Sequence, residues 1–186
     1  LCRSDPSGIR EERRATMRGL GTMRSFRAIL ILSAWALAAP SLAQEADRTA
    51  SPAKDAAAIE ACLKGKETSA QRRTCIGRVS GPCQETPDGS STVGMMACFD
   101  REHTVWDTLL NHAYREAMAG FDEAGKADLK GVQQTWLKFR AQACAWPGRV
   151  YPGGTIGGPL SAECIMDQTA LRALDLMTIR DSLEQR

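Results

Sequence analysis

Four residues that could do chemistry share one helical stripe: Gln133, Trp136, Arg140 and Cys144, spaced by three, four and four. They set an amide, an indole, a guanidinium and a sulfur on a face that is ordinarily aliphatic. A second group lies upstream, where Glu102, Asp107 and Asn111 run beside an apolar pattern. Two carboxylates can act as acid and base on a glycan, but five residues along one helix do not put them on opposite walls of a cleft. Neighbouring arginines would also lower an acid's pKa rather than raise it. A buried guanidinium is rarely left without a carboxylate. The simpler reading is therefore a polar network between helices: Asp107, together with Glu102, pairs with Arg140 and Arg172, helped by Asn111 and Gln133. A ligand or catalytic site on the same residues is the alternative. His103 and His112 are nine apart, not the i, i+4 pair of a helical zinc site, and read as surface partners of Asp107 and Glu116. Neither a metal nor a cofactor is expected, and the chain is read as a binder rather than an enzyme.

The elements that must position these groups are helical. Met95, Phe99, Trp106, Leu109, Leu110, Ala113, Tyr114 and Ala117 recur at three and four, which predicts a first long helix ending near Gly120. A second starts after Asp122 and runs to about Cys144, with Leu129, Val132, Trp136, Phe139 and Ala143 inward. Gly131 interrupts it at a cost of about 1 kcal/mol relative to alanine, and close helix packing is one reason for so small a residue. A third is entered at Pro159, Leu160 and Ser161, with Ser161 or a neighbour as cap and Ile165, Thr169, Ala173, Leu176 and Ile179 or Arg180 inward. Trp106, Tyr114, Trp136 and Phe139 are read as core aromatics. The fold class expected is all-α: an antiparallel three-helix bundle stapled by disulfides, with an additional short helical segment before it.

Before the bundle, residues 55–94 read as a cysteine-containing extension. Asp55 caps a short helix from Ala56 to about Lys64, a second spans about Ser69 to Val79, and 80–94 is loop by composition. Residues 44–54 read as a flexible linker. Between the second and third long helices, 146–158 is a glycine- and proline-rich loop carrying Trp146, Arg149, Tyr151, Gly153 and Gly154. Tryptophan, tyrosine and arginine are the types that anchor protein interfaces, so this loop is the candidate partner-binding surface. A loop simply folded back on the bundle is the plainer alternative.

From Met23 the chain has a basic start, an apolar run over Ala28–Ala39 and a small-x-small site ending at Ala43, the three parts of a secretory signal peptide at 23–43. Its apolar run is shorter than the roughly 20 residues needed to span a bilayer, so no stable anchor is expected after cleavage at Ala43. Residues 1–22 are then leader or an over-extended gene model. Removing 1–43 takes seven of the 24 Lys and Arg and three of the 22 Asp and Glu, leaving 17 against 19 and a formal charge of −2. The basic balance belongs to the leader, and nothing global points to nucleic acid. Six cysteines remain: Cys62, Cys75, Cys83, Cys98, Cys144 and Cys164. An even number in a small periplasmic or secreted protein favours disulfides. Of the fifteen possible pairings, Cys62 with Cys75 is the first guess, because they fall in facing short segments. Cys98, Cys144 and Cys164 are expected to meet at the loop-bearing end.

The ordered set Cys98, Glu102, Asp107, Leu110-Asn111, Tyr114, Gln133, Trp136, Arg140, Cys144, Gly153-Gly154, Cys164, Thr169 and Arg172 resembles the LprI-like lysozyme-inhibitor family. The resemblance covers about Cys98 to Leu183, so the family-like domain is placed at 95–186. It implies an exported helical domain whose named activity is inhibition of lysozyme by binding, with a protein partner such as a lysozyme. The extension with Cys62, Cys75 and Cys83 departs from the pattern. An envelope interaction or structural module without lysozyme inhibition is the alternative. Oligomeric state is left open.

Overall fold

A computed structural model describes residues 42–186, with side chains from Pro52 onward. The expected leader, and all but the last two residues of the expected signal peptide, lie outside them. Among the described residues the chain is all-helical: α1 (Leu42–Leu63), α2 (Ser69–Arg73), α3 (Ser80–Gln84), α4 (Thr92–Gly120), α5 (Glu123–Ala143), α6 (Pro147–Val150) and α7 (Gly157–Glu184). No helix among the described residues is long and apolar enough to cross a membrane.

The core is the seam between α4 and α7. Phe99, Trp106, Leu110, Ala113 and Ala117 on α4 meet Met166, Ala170, Ala173, Leu174, Leu176 and Met177 on α7. Each leucine-sized side chain so buried stabilises by about 1.5–3 kcal/mol, and the alanines let the two backbones approach. Gly158 sits against Met96, and Gly120 against Leu183, so α4 and α7 run parallel. α5 returns between them in sequence and runs antiparallel to α7, as the successive pairs Cys144–Cys164, Arg140–Thr169 and Gln133–Arg172 record.

Local chemistry sets the element ends. Ser91 caps α4 by accepting from the Gly94 N–H at 3.0 Å, and Asp122 caps α5 by accepting from Gly125 at 2.8 Å. Thr68 and Gln71 form a reciprocal capping box at the start of α2. All six cysteines among the described residues are paired, as Cys62–Cys75, Cys83–Cys98 and Cys144–Cys164.

Several boundaries differ from the expectation. Residues 44–54 belong to α1 rather than to a flexible linker, and Asp55 is not a cap but lies inside that helix. Its buried carboxylate accepts from Arg101 Nη2 at 2.7 Å and Nε at 3.0 Å, an ion pair that fastens α1 to α4. The stretch read as loop at 80–94 contains α3 and the first turn of α4. α7 begins at Gly157, before Pro159, and no side chain caps it, so Ser161 is inside the helix. On α7, Ile165 faces solvent and Met166 takes its place in the core.

The bundle itself is uneven. α5 buries only Leu129 fully, and Val132 and Phe139, expected inward, are 53% and 55% exposed. The stripe Leu129, Gln133, Trp136 and Arg140 has taken the inner face instead. Val132 and Phe139 each precede a member of that stripe by one residue, about 100° around the helix. Gln133 accepts a hydrogen bond from Arg172 and Arg140 donates one to Thr169, and these two bonds with α7 fix the rotation of α5 and leave Val132 and Phe139 outside.

Candidate partner-binding surface

The loop between α5 and α7 is closed at its base by Cys144–Cys164, with Cα atoms 5.4 Å apart. Pro147, Gly157 and Pro159 are buried beneath it, and Gly157 packs on the backbone of Pro147 and Gly148. Pro147 opens the single turn of α6, where its missing N–H costs nothing. Arg149 and Val150 donate their N–H groups to the Trp146 carbonyl, and Tyr151 donates to Pro147. Gly153 turns the chain with φ +76°, a conformation that favours glycine, while Gly154 donates to the Tyr151 carbonyl at 3.1 Å.

This frame holds Trp146 and Tyr151 outward, 49% and 43% exposed, with Arg149, Val150 and Ile156 also exposed. The loop is ordered by its own hydrogen bonds and also lies against α7 through α6, with its two aromatics about half exposed. Val93 and Met96, at the start of α4, are exposed at the same end of the molecule. Exposed tryptophan, tyrosine, methionine and arginine are residue types that interface centres favour.

The polar residues expected to form one network are brought to separate places. Glu102 is fully buried and accepts four hydrogen bonds: from Gly77 N–H at 2.7 Å, Val79 at 2.9 Å, Ser80 at 2.7 Å and Trp106 Nε1 at 2.9 Å. It holds the extension on α4 and pairs with no arginine. Asp107 is half-buried and accepts from Asn111 Nδ2 at 2.9 Å. Arg140 donates Nη1 to Thr169 Oγ1 at 2.7 Å and lies 4.8 Å above the centre of the Trp136 ring. Arg172 donates Nε to Gln133 Oε1 at 2.9 Å. Tyr114 packs at the edge of the core.

The predicted pairing of Arg140 and Arg172 with Glu102 and Asp107 therefore does not form. The backbone of 77–80, turning between short elements, leaves N–H groups free that reach Glu102 first. Neutral oxygens of Thr169 and Gln133 take the guanidiniums. Burial pushes the Arg172 pKa down, partly offset by Asp175. Burial also holds the His103 imidazole below its ordinary pKa, with Asp107 opposing, Arg140 reinforcing and Asp100 opposing. Its Nε2 is buried without a hydrogen-bond partner. His112 does pair with Glu116, at 3.0 Å.

One polar cluster had no forecast. Asp181 accepts from Arg72 Nη2 and Arg180 Nη2, both at 2.7 Å, and Arg180 Nη1 reaches Glu116 at 2.8 Å, joining α2, α4 and α7 at the end away from the loop. The i, i+1 pair Arg180-Asp181 was the available signal, but nothing in sequence says that α2 arrives beside it.

Fold and loop together define a small helical module, stapled by disulfides, that presents an aromatic loop at one end. The family model for lysozyme inhibitor LprI matches residues 83–176, half of the chain, and the protein belongs to that family. The match begins at Cys83 and so takes in the Cys83–Cys98 bridge, while Cys62–Cys75 lies before it. An uncharacterised protein of Rhizobium meliloti (strain 1021) is 26% identical over 126 residues, covering 59% of this chain and 91% of the relative. No solved structure matches the chain.

Proposed function

We propose that the protein is an exported, non-enzymatic inhibitor that blocks a lysozyme-type muramidase by seating the loop of Trp146, Arg149 and Tyr151 in its cleft. The observation that carries this reading is the exposure of two aromatics on a loop that a disulfide and buried prolines have already ordered, in a chain of a lysozyme-inhibitor family. An ordered loop loses little conformational entropy on docking, so more of its contact energy appears as affinity. Gly153 and Gly154 belong to the same binding loop and give it its shape. The slight acidity of the chain after residue 43 favours encounter with a basic enzyme and adds little to affinity.

Turbidity of a lysing cell-wall suspension tests the proposal. Purified protein is expected to slow lysis by a lysozyme, and the Trp146→Ala/Tyr151→Ala variant to lose most of that effect while keeping its far-UV circular dichroism. Unchanged lysis at large molar excess sinks the proposal for that enzyme. Full inhibition by the double variant moves the contact away from the loop.

A further inference from the structure

The outer face of α5 poses a problem that the chain alone does not solve. Ala127, Asp128, Gly131, Val132, Thr135 and Phe139 line an open, mostly apolar groove along the helix, with Arg172 of α7 at its edge. Gly131 lies in the middle of α5, where a glycine weakens the helix, yet a Cβ there would meet nothing within 4 Å. Packing inside this chain thus supplies no reason for it. Arg172 is only 9% exposed, and its Nη2 is buried with no hydrogen-bond partner. Among the described residues Arg172 has no carboxylate within ion-pairing distance, and neither has Asp128 a cation, although both line the same groove.

We infer that this groove binds a second copy of the chain, two α5 helices crossing antiparallel about a two-fold axis at Gly131. A surface that meets itself across a two-fold must carry both halves of each contact, which is what an unpaired guanidinium and an unpaired carboxylate in one groove provide. With the axis at Gly131, the absent Cβ atoms let the helices approach closely. Ala127 of each copy then lies level with Thr135 of the other. Asp128 lies level with Gln134, next to the Gln133 that already holds Arg172, so each carboxylate comes to the stretch of groove that the other copy's Arg172 lines. Val132 and Phe139, left outside by the rotation of α5, are covered in the same step. A single helix face is a small interface, so the association is a weak one, in the range of transient rather than obligate contacts.

Sedimentation velocity of the protein with its disulfides intact, over a concentration series reaching the millimolar range, is the test. A dimer growing with concentration is expected. Asp128→Lys sets like charges against each other, and Gly131→Leu places bulk at the crossing; each is expected to lower the association constant at least about tenfold. Both positions are exposed, and leucine is a better helix former than glycine, so helix content is expected to hold or rise in the second variant. A monomer at every concentration overturns the inference. So does a dimer that neither substitution weakens, since it would use another face.

Discussion

Glu102 and Arg172 are both charged and both buried at helix seams, yet they are treated in opposite ways. Glu102, facing the extension, receives four hydrogen bonds and is left with no unmet demand. Arg172, facing α5, has one neutral acceptor and a terminal nitrogen with none. The flank that satisfies its charge is closed by Ile59, Cys75 and Val79 in the core, whereas the other is the flank on which α5 leaves its apolar side chains in water. Polar satisfaction and apolar burial fail together on one side, which is the pattern of a surface awaiting a neighbour rather than of a defect at one residue.

Three measurements break or sharpen that contrast. Glu102→Ala strands four donors and is expected to cost about 3–5 kcal/mol in denaturant unfolding, with the amides of Gly77, Val79 and Ser80 losing hydrogen-exchange protection. A loss under about 1 kcal/mol would mean that the extension is held without it. Arg140→Ala removes a hydrogen bond to Thr169 and the contact with Trp136, but strands no carboxylate, so about 1–2 kcal/mol is expected. A loss as large as that for Glu102 would restore the arginine–carboxylate pairing that the spacing implied.

The smallest effect concerns His103. Its folded pKa lies below the unfolded value, so on acidification the unfolded chain takes the proton first. The contribution is therefore intact above the unfolded pKa, near about 6.5, and is lost as pH falls from there toward the folded value. A melting temperature slightly lower at about pH 5.5 than at about pH 7.5, with the difference shrinking in His103→Gln, is the expected result. An unchanged difference in the variant would assign the pH dependence to other groups.

Much of the fold was legible because its signals are local. The periodicity of α4, the Asp122 cap, the glycine-rich composition of the loop and the facing positions of Cys62 and Cys75, 13 residues apart, are all read from neighbouring stretches of chain. The exposure of Trp146 and Tyr151 agrees with the loop as a surface, although a partner for it remains a proposal. The polar partners were not legible. Glu102 is answered by backbone N–H groups some 22–25 residues away, and backbone donors carry no sequence signature. The rotation of α5 was misread for a related reason. Apolar periodicity put Val132 and Phe139 inside, while the hydrogen bonds of Gln133 and Arg140, two residues counted only as side chains in a network, decide which way the helix turns.

The Cys144–Cys164 bridge also bears on how the loop survives where peptidases are present. Residues 145–163 form a closed covalent ring, so one cut anywhere within it opens the ring without releasing a fragment. The two halves stay joined through sulfur, and on each side the chain runs straight into a long helix that keeps its register. A nicked molecule would gain only the mass of the water consumed, and would come apart only on reduction. Displaying the longest exposed run among the described residues inside such a ring makes backbone cleavage a tolerable injury rather than the loss of the displayed surface.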